Sequence, residues 1–172
     1  MRCFVAVLPP ADTADQIERC LDALCANSQN IKGARRVAKT NLHLTLAFIG
    51  ALPKEKAHAL AHALAQLPQS LFPPFEWVLD HAGVFHKARV LWLAGASSPT
   101  LEAYQHTVQS TLEQLHIPFD ARPWAPHVTV LRHFASAADA PQMSLQIPWP
   151  LSRPVLMEST RIEGICAYRV VL

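Results

Sequence analysis

Charge is scarce in this sequence, and glycine is scarcer. Charged residues make up 16% of 172, apolar residues 51%, and glycine occurs five times against fourteen prolines. So little charge with so much apolar content excludes a disordered chain. The net charge of +2 is too small to demand a nucleic-acid partner. Many prolines with few glycines imply abrupt turns rather than flexible linkers. No apolar run approaches the length of a membrane span, and Met1 to Pro10 is too short for a signal peptide, so no membrane partner is expected. Cys3, Cys20, Cys25 and Cys166 include no C-x-x-C pair and no zinc-finger spacing. They read as free, mostly buried thiols, which suits a reducing cytoplasm. No Gly-x-Ser-x-Gly elbow and no glycine-rich phosphate loop is present.

A chain of this length buries one sizeable core, so a single domain spanning 1–172 is expected. Cys3 to Leu8 predicts a buried strand that stops at Pro9-Pro10. Asp12 or Thr13 is placed to cap a helix whose apolar positions are Ile17, Leu21, Leu24 and Cys25. Arg35 to Val37 predicts a short strand and Leu42 to Ile49 a strong one. Lys54 to Leu67, between prolines, predicts a helix. Phe75 to Val84 reads as extended, Val90 to Leu93 as a strand, and Thr100 to His116 as a third helix opened by Ser97, Ser98 and Pro99. His127 to Arg132, Val155 to Glu158 and Tyr168 to Leu172 complete the strands.

Two stretches share one order. A strand, a helix and then His43-x-Thr45 form one unit; a strand, a helix and then His127-x-Thr129 form another. The pattern suggests two related halves around one cleft. Side chains alternate along a strand. His43 and Thr45 are therefore expected on one face, with Leu44, Leu46 and Phe48 on the other. His127 and Thr129 are likewise expected opposite Val128 and Val130.

Two imidazoles facing each other, each beside a hydroxyl, suit in-line cleavage of a phosphodiester. That reaction needs a base on the attacking water and an acid on the departing oxygen, on opposite sides of phosphorus. Histidine titrates near neutrality, so one ring can be neutral while the other is protonated. Threonine hydroxyls can donate to the phosphoryl oxygens. The rival readings are two accidental histidines among nine, and a zinc site. A zinc site usually needs three or four ligands, and neither motif contains Asp, Glu or Cys; Asp120 and Glu163 are available, but no spacing recruits them.

Beyond the two motifs, Arg2-Cys3-Phe4-Val5-Ala6-Val7, Asn41-Leu42 before His43 and Ala47-Phe48-Ile49-Gly50 after Leu46, Gly83-Val84-Phe85 with Arg89-Val90-Leu91-Trp92, Arg122 to Arg132 and Tyr168 to Leu172 together resemble the RNA 2′,3′-cyclic phosphodiesterases, historically 2′-5′ RNA ligases, of the 2H phosphoesterase superfamily. The resemblance runs nearly the whole chain. It implies a bilobal α/β fold with two antiparallel sheets flanking a central groove and helices outside. It implies hydrolysis of a 2′,3′-cyclic phosphate to a 2′-phosphomonoester, with no metal and no cofactor. By position, His43 would be the proton donor, His127 the proton acceptor, and Thr45 and Thr129 the phosphate ligands. Run backwards, the same site would join RNA ends through a 2′-5′ linkage. Which histidine takes which role rests on the resemblance alone, since the two motifs are symmetric. Arg36 stands where the family often has an aromatic residue, and Val130-Leu131-Arg132 where it usually has Leu-Ala-Arg.

Arg132 is a further phosphate candidate, but strict alternation puts it opposite His127 unless the strand bulges. Lys32, Arg35, Arg36 and Lys39 are candidates for a basic rim tracking an RNA backbone, against the bland reading of a solvated surface. Trp124 and Tyr168 are candidates for base stacking, against packing at core or rim. The expected partner is RNA with a 2′,3′-cyclic phosphate end, or a cyclic nucleotide, and the protein is expected to be a monomer. The alternatives are a non-catalytic module for RNA ends or nucleotides, and a phosphodiesterase for another cyclic phosphate or a 2′-5′ oligonucleotide.

Overall fold

The structure is a computed structural model that describes residues 1–27, 31, 33–134, 141–142, 144–162 and 165–172. Its elements in chain order are β1 (Arg2–Val7), α1 (Ala11–Asn27), β2 (Arg35–Arg36), β3 (Leu44–Ala51), α2 (Lys54–Gln66), β4 (Glu76–Leu79), β5 (His81–Phe85), β6 (Val90–Ala94), α3 (Pro99–Gln114), β7 (Val128–Arg132), β8 (Ile147–Pro150), β9 (Val155–Ile162) and β10 (Ile165–Val170). Lys39–Asn41 is a single 3-10 turn leading into β3.

The strands pair antiparallel throughout. One lobe runs β10-β9-β1-β3 and the other β7-β6-β5, with β2 also on β7. The lobes meet where β3 touches β7 at the single pair Leu44 and Val128. The expected two sheets are thus joined at one point into a continuous sheet, and the short β4-β8 ribbon lies apart from it. Pairing at only one position lets the lobes splay on either side, which opens the groove.

The pattern of apolar residues explains the layering. Val5 and Val7 of β1 join Leu44, Leu46, Val128, Val130, Leu91 and Leu93 in the main core under the helices. Phe4 and Ala6, on the opposite face of β1, form a second small cluster with Met157. β1 is buried on both faces, as its near-continuous apolar sequence requires. The helices present Ile17 and Leu21, then Leu60 and Leu64, then Leu101, Val108 and Leu112 to the main core. α3 begins at Pro99, and the Ser98 hydroxyl accepts from the Leu101 amide at 3.1 Å, an N-cap contributing about 1 kcal/mol.

Several expectations change. α1 starts before Asp12 and Thr13, so neither caps it; the Thr13 hydroxyl instead donates to the Pro148 carbonyl at 2.7 Å. The extended run expected over Phe75 to Val84 is two strands belonging to different sheets. β8 was not expected, because Pro148 and Pro150 argue against a strand; it is tolerated as one half of a two-stranded ribbon, paired with Val78 and Glu76. His43 and His127 lie one residue before β3 and β7 rather than within them.

Phe48 is the largest correction. It was expected on the packed face with Leu44 and Leu46, yet it is 53% exposed and lines the groove. The register explains it: Ala6 faces Thr45 and Val5 faces Ala47, so Leu46 is an extra, bulged residue that reverses the alternation beyond it.

Candidate active site

A groove of about 1060 Å³ runs between the lobes. His43, Thr45, His127 and Thr129 all line it, so the tertiary structure brings together the four residues that the two motifs single out. Neither threonine hydroxyl is engaged by a described residue, which leaves both free to donate to a ligand. No group of three or more His, Cys, Asp or Glu that could hold a metal occurs among the described residues. Asp120 is held by Arg122 through several hydrogen bonds, and Glu163 lies outside the described residues.

Each imidazole is oriented by the chain just before it. His43 Nδ1 lies 2.6 Å from the Asn41 carbonyl, and His127 Nδ1 lies 2.8 Å from the Ala125 carbonyl. A carbonyl only accepts, so Nδ1 carries the proton in both rings and Nε2 is left for chemistry. The first support is itself clamped. Asn41 Nδ2 donates to the Cys166 carbonyl at 3.0 Å, and the Tyr168 amide donates to Asn41 Oδ1 at 3.2 Å. Asn41 thereby fixes the 3-10 turn to β10 and sets where the His43 ring stands. The Trp124 indole, a stacking candidate, instead donates to the Thr45 carbonyl at 2.8 Å.

Aromatic rings flank both histidines. Phe4 lies 4.8 Å from His43, and Tyr168 meets its ring edge-on at 5.1 Å. Phe85 meets His127 edge-on at 4.9 Å, with Trp92 at 6.3 Å. Gly83 makes room for that tryptophan, because a Cβ there would stand 2.1 Å from the Trp92 ring. Burial among these rings disfavours the imidazolium. It pushes His43 down to about 4, opposed by the Asn41 carbonyl and reinforced by the Arg132 and His127 charges. His127 is also lowered by burial, again opposed by its carbonyl partner. Of these aromatic neighbours, Tyr168 alone is a candidate from the sequence, for base stacking or rim packing; the others are not, because contacts between strands are not visible in local patterning.

Arg132 does reach the groove, and the required bulge is present. Trp92 faces Thr129 and Leu91 faces Leu131, so Val130 is the extra residue. The bulge turns Arg132 to the side of His127 and Thr129. Its guanidinium donates to the Tyr168 hydroxyl at 3.4 Å. The rest of the basic rim is divided. Arg35 and Arg36 line the groove with Arg2, Arg122 and Arg161. Arg36 is tied to Asp22 at 2.6 Å and Lys39 to Asp15, so two of the cations are spent on α1. Lys32 lies outside the described residues.

A bilobal antiparallel sheet offering a histidine and a threonine from each lobe to one groove defines the two-histidine, or 2H, class of phosphoesterases. The chain belongs to the 2′-5′ RNA ligase superfamily, whose model matches residues 8–166. It is 30% identical to the RNA 2′,3′-cyclic phosphodiesterase of Escherichia coli, covering 97% of this chain and 92% of that protein. It is 28% identical to the RNA 2′,3′-cyclic phosphodiesterase of Thermus thermophilus, covering 92% and 82%. The crystal structure of Escherichia coli LigT complexed with 3′-AMP superposes with a TM-score of 0.81 at 29% identity, covering 99% of this chain and 95% of that one. No helix among the described residues is long and apolar enough to cross a membrane.

Proposed function

We propose that this chain, as a single bilobal unit over 1–172, hydrolyses RNA 2′,3′-cyclic phosphodiester ends to 2′-phosphomonoesters by metal-independent acid–base catalysis. The observation that carries the reading is the pair of Nδ1-anchored imidazoles, each beside a free threonine hydroxyl, lining one groove. The names of the relatives support the substrate class.

In this mechanism His127 Nε2 accepts a proton from water as its oxygen bonds to phosphorus. The bond from phosphorus to O3′ breaks, and His43 Nε2 delivers its proton to O3′. The products are a 2′-phosphate and a free 3′-hydroxyl. Thr45 and Thr129 donate to the phosphoryl oxygens, where charge accumulates in the transition state. Arg132 adds positive charge to the same anion. Proton exchange with solvent then restores the starting protonation of both rings, and the reverse of the same steps would form a 2′-5′ linkage. Burial lowers His43 to about 4 and so favours its neutral form near pH 7. A bound phosphate anion offsets the Arg132 charge and favours the imidazolium, so substrate itself helps to charge the acid. The four free thiols suit a cytoplasmic setting, and the protein is proposed to act as a monomer.

The test is incubation with 2′,3′-cyclic AMP and with a short RNA ending in a 2′,3′-cyclic phosphate, in excess EDTA, with products resolved as 2′- or 3′-phosphate. Accumulation of the 2′-phosphate from wild type, abolished by His43→Ala and by His127→Ala, is the expected result. No product, with or without divalent metal, overturns the hydrolase reading and leaves a module that binds nucleotides or RNA ends.

A further inference from the structure

The two histidines are matched, but what stands behind them is not. The carbonyl that accepts from His127 Nδ1 belongs to Ala125, which has only a methyl side chain. The carbonyl that accepts from His43 Nδ1 belongs to Asn41. The Asn41 carboxamide is itself engaged at both ends: Nδ2 donates to the Cys166 carbonyl at 3.0 Å, and Oδ1 accepts from the Tyr168 amide at 3.2 Å. Both partners lie on β10, 125 and 127 residues away along the chain.

The two bonds share a physical reason. β10 is the end strand of its lobe and, among the described strands, pairs with β9 alone, so its outer edge carries backbone groups with no strand to meet them. Cys166 and Tyr168 are two residues apart and so face the same edge. A carboxamide carries a donor and an acceptor, as a peptide group does, and Asn41 closes that edge as one unit of a further strand would. Its own segment, Lys39–Asn41, is one 3-10 turn, with the Asn41 amide on the Ala38 carbonyl at 2.7 Å and the Leu42 amide on the Lys39 carbonyl at 3.2 Å. Such a turn sets its own backbone loosely, so the direction of the Asn41 carbonyl is decided by where the side chain is fastened. β10 also delivers Tyr168, whose ring meets His43 edge-on. The clamp and one wall of His43 therefore arrive together on a single edge strand.

Resting on the hydrolase reading above, we infer that Asn41 is a positioning residue that makes the aim of the proton donor depend on the seating of β10. With β10 in place the carboxamide is fastened, the Asn41 carbonyl holds Nδ1–H, and Nε2 is directed at the departing oxygen. With the clamp cut, the carbonyl is free to turn, and the ring loses both its preferred tautomer and its direction. An acid misplaced by about 1 Å lowers the rate by up to about a hundredfold. Substrate binding rests instead on Thr45, Thr129 and the groove cations, so it changes little. His127 has no such dependence, because the Ala125 methyl cannot hydrogen-bond to a second strand.

The experiment compares wild type, Asn41→Ala and Asn41→Asp. Asn41→Ala removes both bonds to β10. Asn41→Asp keeps the acceptor for the Tyr168 amide and loses the donor for the Cys166 carbonyl. With 2′,3′-cyclic AMP, kcat is expected to fall by about tenfold to a hundredfold in Asn41→Ala with little change in KM, and by less in Asn41→Asp. Nitrogen-15 NMR of ring-labelled histidines at pH 7, without substrate, reads the aim directly. In wild type both rings should carry the proton on Nδ1. In Asn41→Ala the His43 nitrogen shifts should move toward a mixture of tautomers while those of His127 stay. Wild-type kcat in Asn41→Ala overturns the inference. So does a loss of kcat with unchanged His43 shifts, or an equal movement of both rings, since either would leave Asn41 a merely structural residue. If Asn41→Ala does not fold, Asn41→Asp carries the same readouts. A wild type that never turns over a cyclic phosphate, but whose His43 shifts still depend on Asn41, would remove the hydrolase reading and leave the clamp in place.

Discussion

Leu44 and Val128 are Cα partners at the one point where β3 and β7 pair, and each directly follows a histidine. The pairing is antiparallel, so the local two-fold passes between them and carries His43 toward the position of His127. Everything the site does symmetrically follows from that contact. Each imidazole hangs at the strand entrance, each leans on a carbonyl two residues back, and each is walled by aromatic rings.

Removal of either imidazole should be severe. His43→Ala and His127→Ala are each expected to lower kcat by at least about a thousandfold, within the range for loss of a positioned acid or base. Steady-state kinetics on 2′,3′-cyclic AMP check this. A loss of less than tenfold in either variant would take that histidine out of the reaction.

The pH dependence follows from the direction of the shifts. His43 at about 4 and His127 below its ordinary value place the bell of kcat/KM on the acid side of pH 6.5. Above that, kcat/KM should fall by nearly tenfold per unit as the acid loses its proton. In His43→Ala the descending limb should vanish. A wild-type plateau extending to pH 8 would contradict this.

Stability should respond in the same window. Between about pH 4 and 6.5 the unfolded chain binds the His43 proton and the folded chain does not, so stability rises with pH across that window. The contribution is fully present above about 6.5 and is lost as pH falls, by roughly 2–3 kcal/mol. Urea denaturation of wild type and His43→Gln at pH 7 and pH 4.5 would show the difference, the variant being less sensitive to acid.

Gly83→Ala tests the packing behind His127. A Cβ at position 83 meets the Trp92 ring, and the ring must move from its place beside His127. The expected result is a fall of kcat by about tenfold or more with little change in KM, as expected when a catalytic group is displaced by about 1 Å. Near-ultraviolet circular dichroism should change with it, reporting the tryptophan. Unchanged spectra and kinetics would show that the ring is not held there.

Arg35 stands directly across from Arg132 on the neighbouring strand and lines the groove. Arg35→Ala should weaken binding of a cyclic-phosphate RNA while sparing 2′,3′-cyclic AMP, and lower the salt slope of RNA binding by about one. Equal losses on both substrates would place Arg35 at the reacting phosphate instead of along the RNA backbone.

Much of this site was legible from residue type and spacing. His43-x-Thr45 and His127-x-Thr129 each follow a strand and a helix, and the apolar residues between them could only pack inward. That marked out the four residues that line the groove and the three helices seen among the described residues. What local pattern does not carry is the register between strands. A single bulged residue leaves composition unchanged but reverses every side chain beyond it. For that reason Phe48 was assigned to the core, and Arg132 was left waiting on a bulge, until the pairing of β1 with β3 and of β6 with β7 was known. The anchoring of Asn41 to β10, the aromatic walls and the depressed histidines also depend on strands far apart in the chain. Residue order by itself determined which chemical groups the two motifs carry; tertiary structure decided which side of each strand faces the groove, because burial and hydrogen-bond register are settled only when the lobes pack.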